Sequence, residues 1–193
     1  MGQPIRQRNK FRKPGHPWQA ARLADEKDLV REYGFANKTE IYKLRSILKK
    51  YTDQAKRLNA IKTSQSQMET EALLNKLKAM GVLNTDAQIG ELLNLNIKAL
   101  AERRLQTIIC KKMLAKTPKQ ARQFITHRHI LVNGKKITSP SYNVLVSEEN
   151  LISFYSKSSL ANEEHPERKI DLNKKEKVLI KKIREKPARR GRR

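Results

Sequence analysis

Asn133-Gly134 stands between Ile130-Leu131-Val132 and Lys135-Lys136-Ile137. Both turn residues tolerate positive φ, which a two-residue hairpin turn requires, so this dipeptide between two such runs specifies a β-hairpin. Immediately upstream, Thr117-Pro118 supplies an N-cap followed by proline at the first helical position. Ala121, Phe124 and Ile125 then give that helix an apolar face. Leu105, Ile108, Ile109 and Met113 mark one face of an earlier helix, and Val144–Val146 and Leu151–Tyr155 are two further strand candidates. Residues 103–156 therefore read as two helices followed by a small antiparallel sheet.

The first hundred residues pattern differently. Ala20, Leu23, Ala24 and Leu29 or Val30 recur at helical spacing over 19–33, with Gly34 as C-cap. Asn37 opens a second helix, with Glu40 three residues on as its capping-box partner and Ile41, Leu44, Ile47, Leu48 and Tyr51 as its apolar stripe. Thr63–Gln67 is polar and reads as a linker. Helix resumes near Met68 through Leu73, Leu74, Leu77 and Met80 to Gly81; Thr85 or Asp86 then opens a short helix through Ile89, Leu92 and Leu93, and a further helix lies near Ile97–Glu102. The fold class expected is α+β. A basic irregular arm (1–18) precedes a helical domain (19–102), then the two-helix and sheet module (103–156) and a basic tail (157–193). Trp18 is expected to anchor the arm to the helix that follows it.

Charge decides what such a chain meets. The formal net charge is +24 over 193 residues, and a free compact protein of that charge repels itself unless a polyanion neutralises it. Nucleic acid does so with release of counterions. Charge is uneven: between 63 and 96, Lys76 and Lys78 stand against Glu69, Glu71, Asp86 and Glu91, so this segment is expected to pack on protein. From Pro166 onward thirteen Lys or Arg face four Asp or Glu, with Val178, Leu179, Ile180 and Ile183 on one amphipathic helix before Pro187.

Other chemistry finds little support. The apolar runs are far shorter than the roughly 20 residues a transmembrane helix needs, and Met1–Lys13 lacks an apolar signal core; a cytoplasmic location without membrane association is expected. Cys110 is the only cysteine, and it reads as a small core residue. His127 and His129, two apart, do not share a helix face and have no cysteine or carboxylate cluster beside them. No phosphate-binding loop, dinucleotide fingerprint or nucleophile elbow is present. No catalytic residue, metal, cofactor or small-molecule substrate is expected.

The cationic constellation is the positive signal. Lys119, Arg122 and Gln123, continued by Thr126, lie opposite Ala121, Phe124 and Ile125 on one helix. His127 and Arg128 end it, Arg103 and Arg104 begin the preceding helix, and Lys135 and Lys136 flank the hairpin turn. Arginine forks bind phosphate bidentately, and Thr and Gln bond sugar or phosphate. Groups drawn from short, differently oriented elements suit a folded RNA read by shape, while two short helices joined by a turn keep a helix-turn-helix DNA binder open.

Several segments resemble one family. Glu102-Arg103-Arg104-Leu105-Gln106, Ala115-Lys116-Thr117-Pro118, Gln120-Ala121-Arg122-Gln123-Phe124-Ile125, His127-Arg128-His129-Ile130-Leu131-Val132-Asn133-Gly134 and Pro140-Ser141-Tyr142 look like the RNA-binding module of the small-subunit ribosomal protein four (uS4) family. His16-Pro17-Trp18, Glu32-Tyr33-Gly34 and Asn37-Lys38-Thr39-Glu40-Ile41-Tyr42 are similar to its archaeal branch. The resemblance implies a structural constituent of the small ribosomal subunit and a primary binder of 5′-domain rRNA. It also implies ribosomal protein five of that subunit as neighbour, and a position where mRNA enters, with a part in translational accuracy. Carried onto this chain, it points to Arg103, Arg104, Lys119, Gln120, Arg122, Gln123, Thr126, His127, Arg128, Lys135 and Lys136 as rRNA contacts. Tyr142 stacks or caps the sheet edge, and Arg6, Arg8, Lys10, Arg12 and Lys13 follow from the arm. Many bacterial members carry an N-terminal zinc-binding cysteine cluster; this chain has no cysteine there. An RNA-modifying enzyme subunit using the same module, a non-specific nucleic-acid-coating protein and a membrane-surface or calmodulin-target segment at 178–186 are the competing readings.

Overall fold

Helix punctuation and hairpin punctuation divide the chain into segments that each build their own core. The computed structural model describes residues 9–61, 63–162 and 165–168. Along them run α1 (Ala20–Tyr33), α2 (Lys38–Ala60), α3 (Ser64–Ala79), α4 (Ile89–Leu93), α5 (Ile97–Glu102), α6 (Leu105–Lys111) and α7 (Pro118–Thr126). Then come β1 (Ile130–Val132), β2 (Lys135–Lys136), α8 (Val146–Glu149), β3 (Ile152–Phe154) and a 3-10 turn at Ser159–Ala161. The α+β expectation holds. Arg6, Arg8 and the 178–186 helix lie outside the described residues.

The helix α2 is the spine of the N-terminal part, because its apolar stripe serves two cores along its length. Its first half, with α1 and α5, buries Leu29, Tyr33, Phe35, Ile41, Leu44, Leu100 and Ala101. Its second half, with α3 and α4, buries Ala55, Leu58, Leu73, Leu77, Met80 and Leu92. The segment expected to pack on protein supplies much of this second cluster. A third core lies beneath the sheet: Leu105, Ile108 and Ile109 of α6, Ala121, Phe124 and Ile125 of α7, and Ile130, Val132 and Ile152 of the strands. Cys110 packs against it. Leu160 joins the same core, so ordered packing extends past Ser156 into the segment assigned to the tail.

The sheet has the order β2-β1-β3, with both pairings antiparallel. Val132 faces Lys135 across the hairpin, and Asn133 (φ 50) and Gly134 (φ 73) adopt the left-handed conformations the turn demands. β3 lies within the predicted 151–155 strand. The predicted strand at Val144–Val146 does not form. Asn143 makes only an isolated bridge to Arg104, Val144 donates its N–H to Arg103 O at 3.0 Å, and Val146 already begins α8. Val144 is fully buried, so its β-branched side chain reports core packing and not strand pairing.

Three further local expectations give way to tertiary context. Thr63 caps α3 by accepting from Ser66 N at 3.2 Å, while Ser66 Oγ accepts from Thr63 N at 3.1 Å; this capping box starts the helix at Ser64, inside the predicted linker. Asn37 sits at the N-cap of α2 without a side-chain capping bond, and Glu40 is drawn elsewhere, as described below. Met113 does not extend the face of α6: it takes φ 59 just past the helix end and is 50% exposed. Leu114 N bonds Ile109 O at 3.1 Å and Met113 N bonds Cys110 O at 3.1 Å, the paired bonds of a Schellman cap.

Candidate nucleic-acid interface

The register of α7 decides which side chains it offers. Thr117 Oγ1 accepts from Gln120 N at 3.2 Å, Pro118 occupies the first turn, and burial of Ala121, Phe124 and Ile125 fixes the rotation of the helix. At 3.6 residues per turn, Lys119, Arg122, Gln123 and Thr126 then form one stripe on the outer side. Lys119, Gln123 and Thr126 are exposed, and Arg122 is half-buried. Gln120 turns aside: its Oε1 accepts from Lys116 N at 2.7 Å, and its Nε2 donates to Glu167 Oε2 at 2.7 Å.

The stripe runs off the helix end into the hairpin. His127 and Arg128 are exposed. Arg128 takes φ 63, with His129 N bonded to Phe124 O and Arg128 N to Ile125 O, each at 3.0 Å. This second Schellman cap places an arginine where glycine is usual, at a left-handed position that costs about 1 kcal/mol for a side chain with a Cβ. His129 faces the other way: its Nδ1 lies 2.7 Å from Ser158 Oγ and its ring packs edge-on against Phe124. Lys135 and Lys136 are exposed at the hairpin, and Lys136 Nζ sits 3.7 Å over the Tyr155 ring.

An open groove of about 650 Å³ continues this surface toward the N-terminal part. The end of α1, the start of α2 and the start of α7 line it, with Lys27, Arg31, Lys38 and Lys119 among its residues. Of these four, sequence reasoning assigned only Lys119 as an RNA contact. The other three belong to helices whose placement beside α7 is a tertiary outcome.

Arg104 is corrected by the structure: it is 1% exposed and not part of this surface. Its Nη2 donates to Glu40 Oε2 at 2.7 Å, and its guanidinium lies 4.4 Å from the Phe35 ring centroid. Burial lowers its pKa from the ordinary arginine value, against the pull of Glu40 and with the added repulsion of Arg122. Arg103, which caps the end of α5, is also turned inward: Nη1 pairs with Glu149 at 3.0 Å and Nη2 donates to Val144 O at 3.1 Å. Tyr142 donates its hydroxyl to Glu148 at 3.0 Å and packs against the third core. Burial, and then Glu148, raises its pKa.

The residue that joins Arg104 to Arg122 is Glu40, read from the sequence as a capping partner. Its Oε2 holds Arg104, while its Oε1 accepts from Arg122 Nη1 at 2.9 Å. Beside it, the buried Gln106 donates Nε2 to Gly34 O at 3.0 Å and to Pro118 O at 2.8 Å. Gly34, at φ 64, leaves no room for a Cβ, which would stand 2.6 Å from Pro118 Cβ. These contacts join the α1–α2 turn to the start of α7, and so position the stripe relative to the groove.

In the arm, Lys10, Arg12 and Lys13 are exposed. The arm lies along α2, with Arg12 N donating to Ser46 Oγ at 3.0 Å and Phe11 packed 6.4 Å from Tyr42. Trp18 does not anchor it: the indole is 88% exposed. Among the described residues no helix is long and apolar enough to cross a membrane, and no group of three or more His, Cys, Asp or Glu side chains could hold a metal ion.

Residues 103–150 match the S4 domain, the region that carries the stripe and the hairpin. Over 169 residues the chain is 45% identical to the small ribosomal subunit protein uS4 of Methanococcus maripaludis, covering 87% of this chain and 95% of that one. It is 48% identical over 168 residues to the uS4 protein of Nanoarchaeum equitans, covering 86% and 93%. The uS4 protein of Methanococcus aeolicus is 44% identical over 169 residues, covering 87% and 96%. With identity of this order running through both the helical part and the S4 domain, the chain belongs to the uS4 family of small-subunit ribosomal proteins, as a relative of its archaeal members.

Proposed function

We propose that this protein is a structural, non-catalytic component of the small ribosomal subunit that binds its rRNA. The observation that carries the reading is the set of outward side chains that α7, its C-terminal cap and the hairpin carry: Lys119, the half-buried Arg122, Gln123, Thr126, His127, Arg128 and Lys135. Phosphate-directed cations on several orientations of backbone fit packed RNA helices better than one straight groove. The groove between α1, α2 and α7 adds a second bank of cations, so that one molecule bridges more than one RNA helix. Within this reading the RNA partner is the 5′ domain, bound early in assembly. Small-subunit ribosomal protein five is the neighbour, mRNA passes nearby where it enters the subunit with consequences for accuracy, and the protein resides on cytoplasmic ribosomes. Arg103 and Arg104 serve as internal struts of the surface, and Lys10, Arg12 and Lys13 extend it.

The test is binding to a 5′-domain rRNA fragment across a salt series, with equal-length duplex DNA as competitor. A tight complex that survives the DNA at moderate salt is expected. Equal affinity for both nucleic acids, with the same steep salt slope, would reduce the protein to a charge-driven coat.

A further inference from the structure

We infer that Trp18 is a stacking platform for an unpaired nucleobase, a contact that rests on the rRNA-binding reading and adds a base-directed element to a surface otherwise aimed at phosphate. The indole is 88% exposed, an unusual place for the largest apolar side chain, and it is presented by a braced backbone. Arg22 Nη2 donates to His16 O at 3.0 Å and to Pro17 O at 2.5 Å, clamping the two residues that precede the tryptophan onto α1. Arg22 is itself held by Glu26, 2.5 Å away. Glu26 is fully buried and also lies 3.4 Å from both Lys38 and Arg45. An ionic cluster around the buried Glu26 thus braces the turn that projects the ring.

The surroundings select the occupant. The arm that leads to Trp18 bears the exposed cations Lys10, Arg12 and Lys13, and it is seated on α2 through Ser46 and Tyr42. An apolar pocket on another protein would satisfy the indole but leave these charges facing it. Single-stranded RNA satisfies both, phosphates meeting the cations and a base face meeting the ring. Every base has such a face, so the contact is tolerant of sequence, and a base already stacked inside a helix is not available to it.

Trp18 is the only tryptophan in the chain, so its emission reports on this position alone. The experiment titrates the full-length protein with a small-subunit 5′-domain rRNA transcript and follows indole emission and acrylamide quenching. Binding is expected to quench the emission and shield the ring from acrylamide, while an RNA duplex without unpaired bases binds and leaves both unchanged. Trp18→Ala is expected to weaken transcript binding about tenfold, Trp18→Phe to recover it to within about threefold, and Trp18→Leu to behave like alanine. The salt slope is expected to be common to all four proteins, because no phosphate contact is altered. Tight, DNA-resistant binding with emission, acrylamide access and Trp18→Ala affinity all unchanged overturns the inference and leaves the rRNA-binding reading standing. Shielding that appears only after other small-subunit proteins are added also overturns it, in favour of a protein cover. Failure of the transcript to outcompete duplex DNA removes both together.

Discussion

Arg122 reaches across 82 positions of sequence to Glu40, its Nη1 2.9 Å from Oε1, while the other oxygen of the same carboxylate holds Arg104. One acidic side chain on α2 thus restrains two arginines of the S4 domain, in different environments. Arg104 is 1% exposed, whereas the Arg122 side chain is 31% exposed. Glu40→Gln leaves the Arg104 charge buried without a counter-charge and is expected to destabilise the protein by about 3 kcal/mol. Arg122→Ala breaks a partly solvated pair and is expected to cost about 0.5–1 kcal/mol. Urea unfolding of both variants checks the ratio; equal losses would mean that the Glu40 charge contributes nothing through Arg104.

Arg128 invites a substitution with opposite effects on folding and binding. Glycine at φ 63 removes the left-handed strain, so Arg128→Gly is expected to stabilise the fold by about 1 kcal/mol. The same change removes a proposed phosphate-directed charge and is expected to weaken rRNA binding by about 1.5–3 kcal/mol. Met113→Gly, at the matching cap of α6, is the control: similar stabilisation with rRNA affinity unchanged. Thermal melts and a filter-binding series on the same preparations separate the two effects.

The stripe itself predicts a binding loss that exceeds either end alone. Arg122→Ala with Arg128→Ala is expected to lose about 1.5–3 kcal/mol of rRNA affinity for each charged contact, with a shallower salt dependence. An unchanged dissociation constant would remove this face from the RNA site.

Alkaline pH acts through Tyr33, which is 4% exposed. Burial, and then the neighbouring carboxylates of Glu32 and Glu102, push its hydroxyl up to about 12. A phenol whose folded pKa lies above its unfolded value near 10 contributes stability that is complete below pH 10 and is lost as pH rises toward 12. Tyr33→Phe is expected to flatten that part of the loss. Unfolding midpoints of the two proteins, compared between pH 9 and 12, show whether their curves converge.

At Gly34, a methyl group meets both a positive φ and the Cβ of Pro118 at 2.6 Å. Gly34→Ala is expected to cost about 2–3 kcal/mol, through backbone strain and overpacking together. A urea midpoint within error of the wild type would show that the α1–α2 turn can move away from α7.

What was legible in the sequence was local. Thr117-Pro118 and Asn133-Gly134 each carry their conformational demand within a few residues, so α7 and the hairpin stand where expected, and with them the outward stripe from Lys119 to Arg128. Long-range pairing was not legible. Glu40 satisfies the spacing of a capping box, and nothing near it in sequence indicates that two arginines 64 and 82 residues away take both of its oxygens. The same blindness put Arg104 on the surface and Trp18 against a helix. A basic or aromatic residue beside a helix end has no periodic signal that says which way it points. Val144 to Val146 failed for a related reason, since β-branched residues fit a buried loop against a core as well as they fit a strand.

The Gln106 amide that spans Gly34 O and Pro118 O is neutral, buried and bonded to backbone. Mobile ions therefore have little purchase on it, whereas they would compete directly with the phosphate contacts proposed for the exposed face. Rising ionic strength is therefore expected to weaken RNA binding before it loosens this link between the α1–α2 turn and α7, although it also screens the part-solvated Arg122–Glu40 pair beside it.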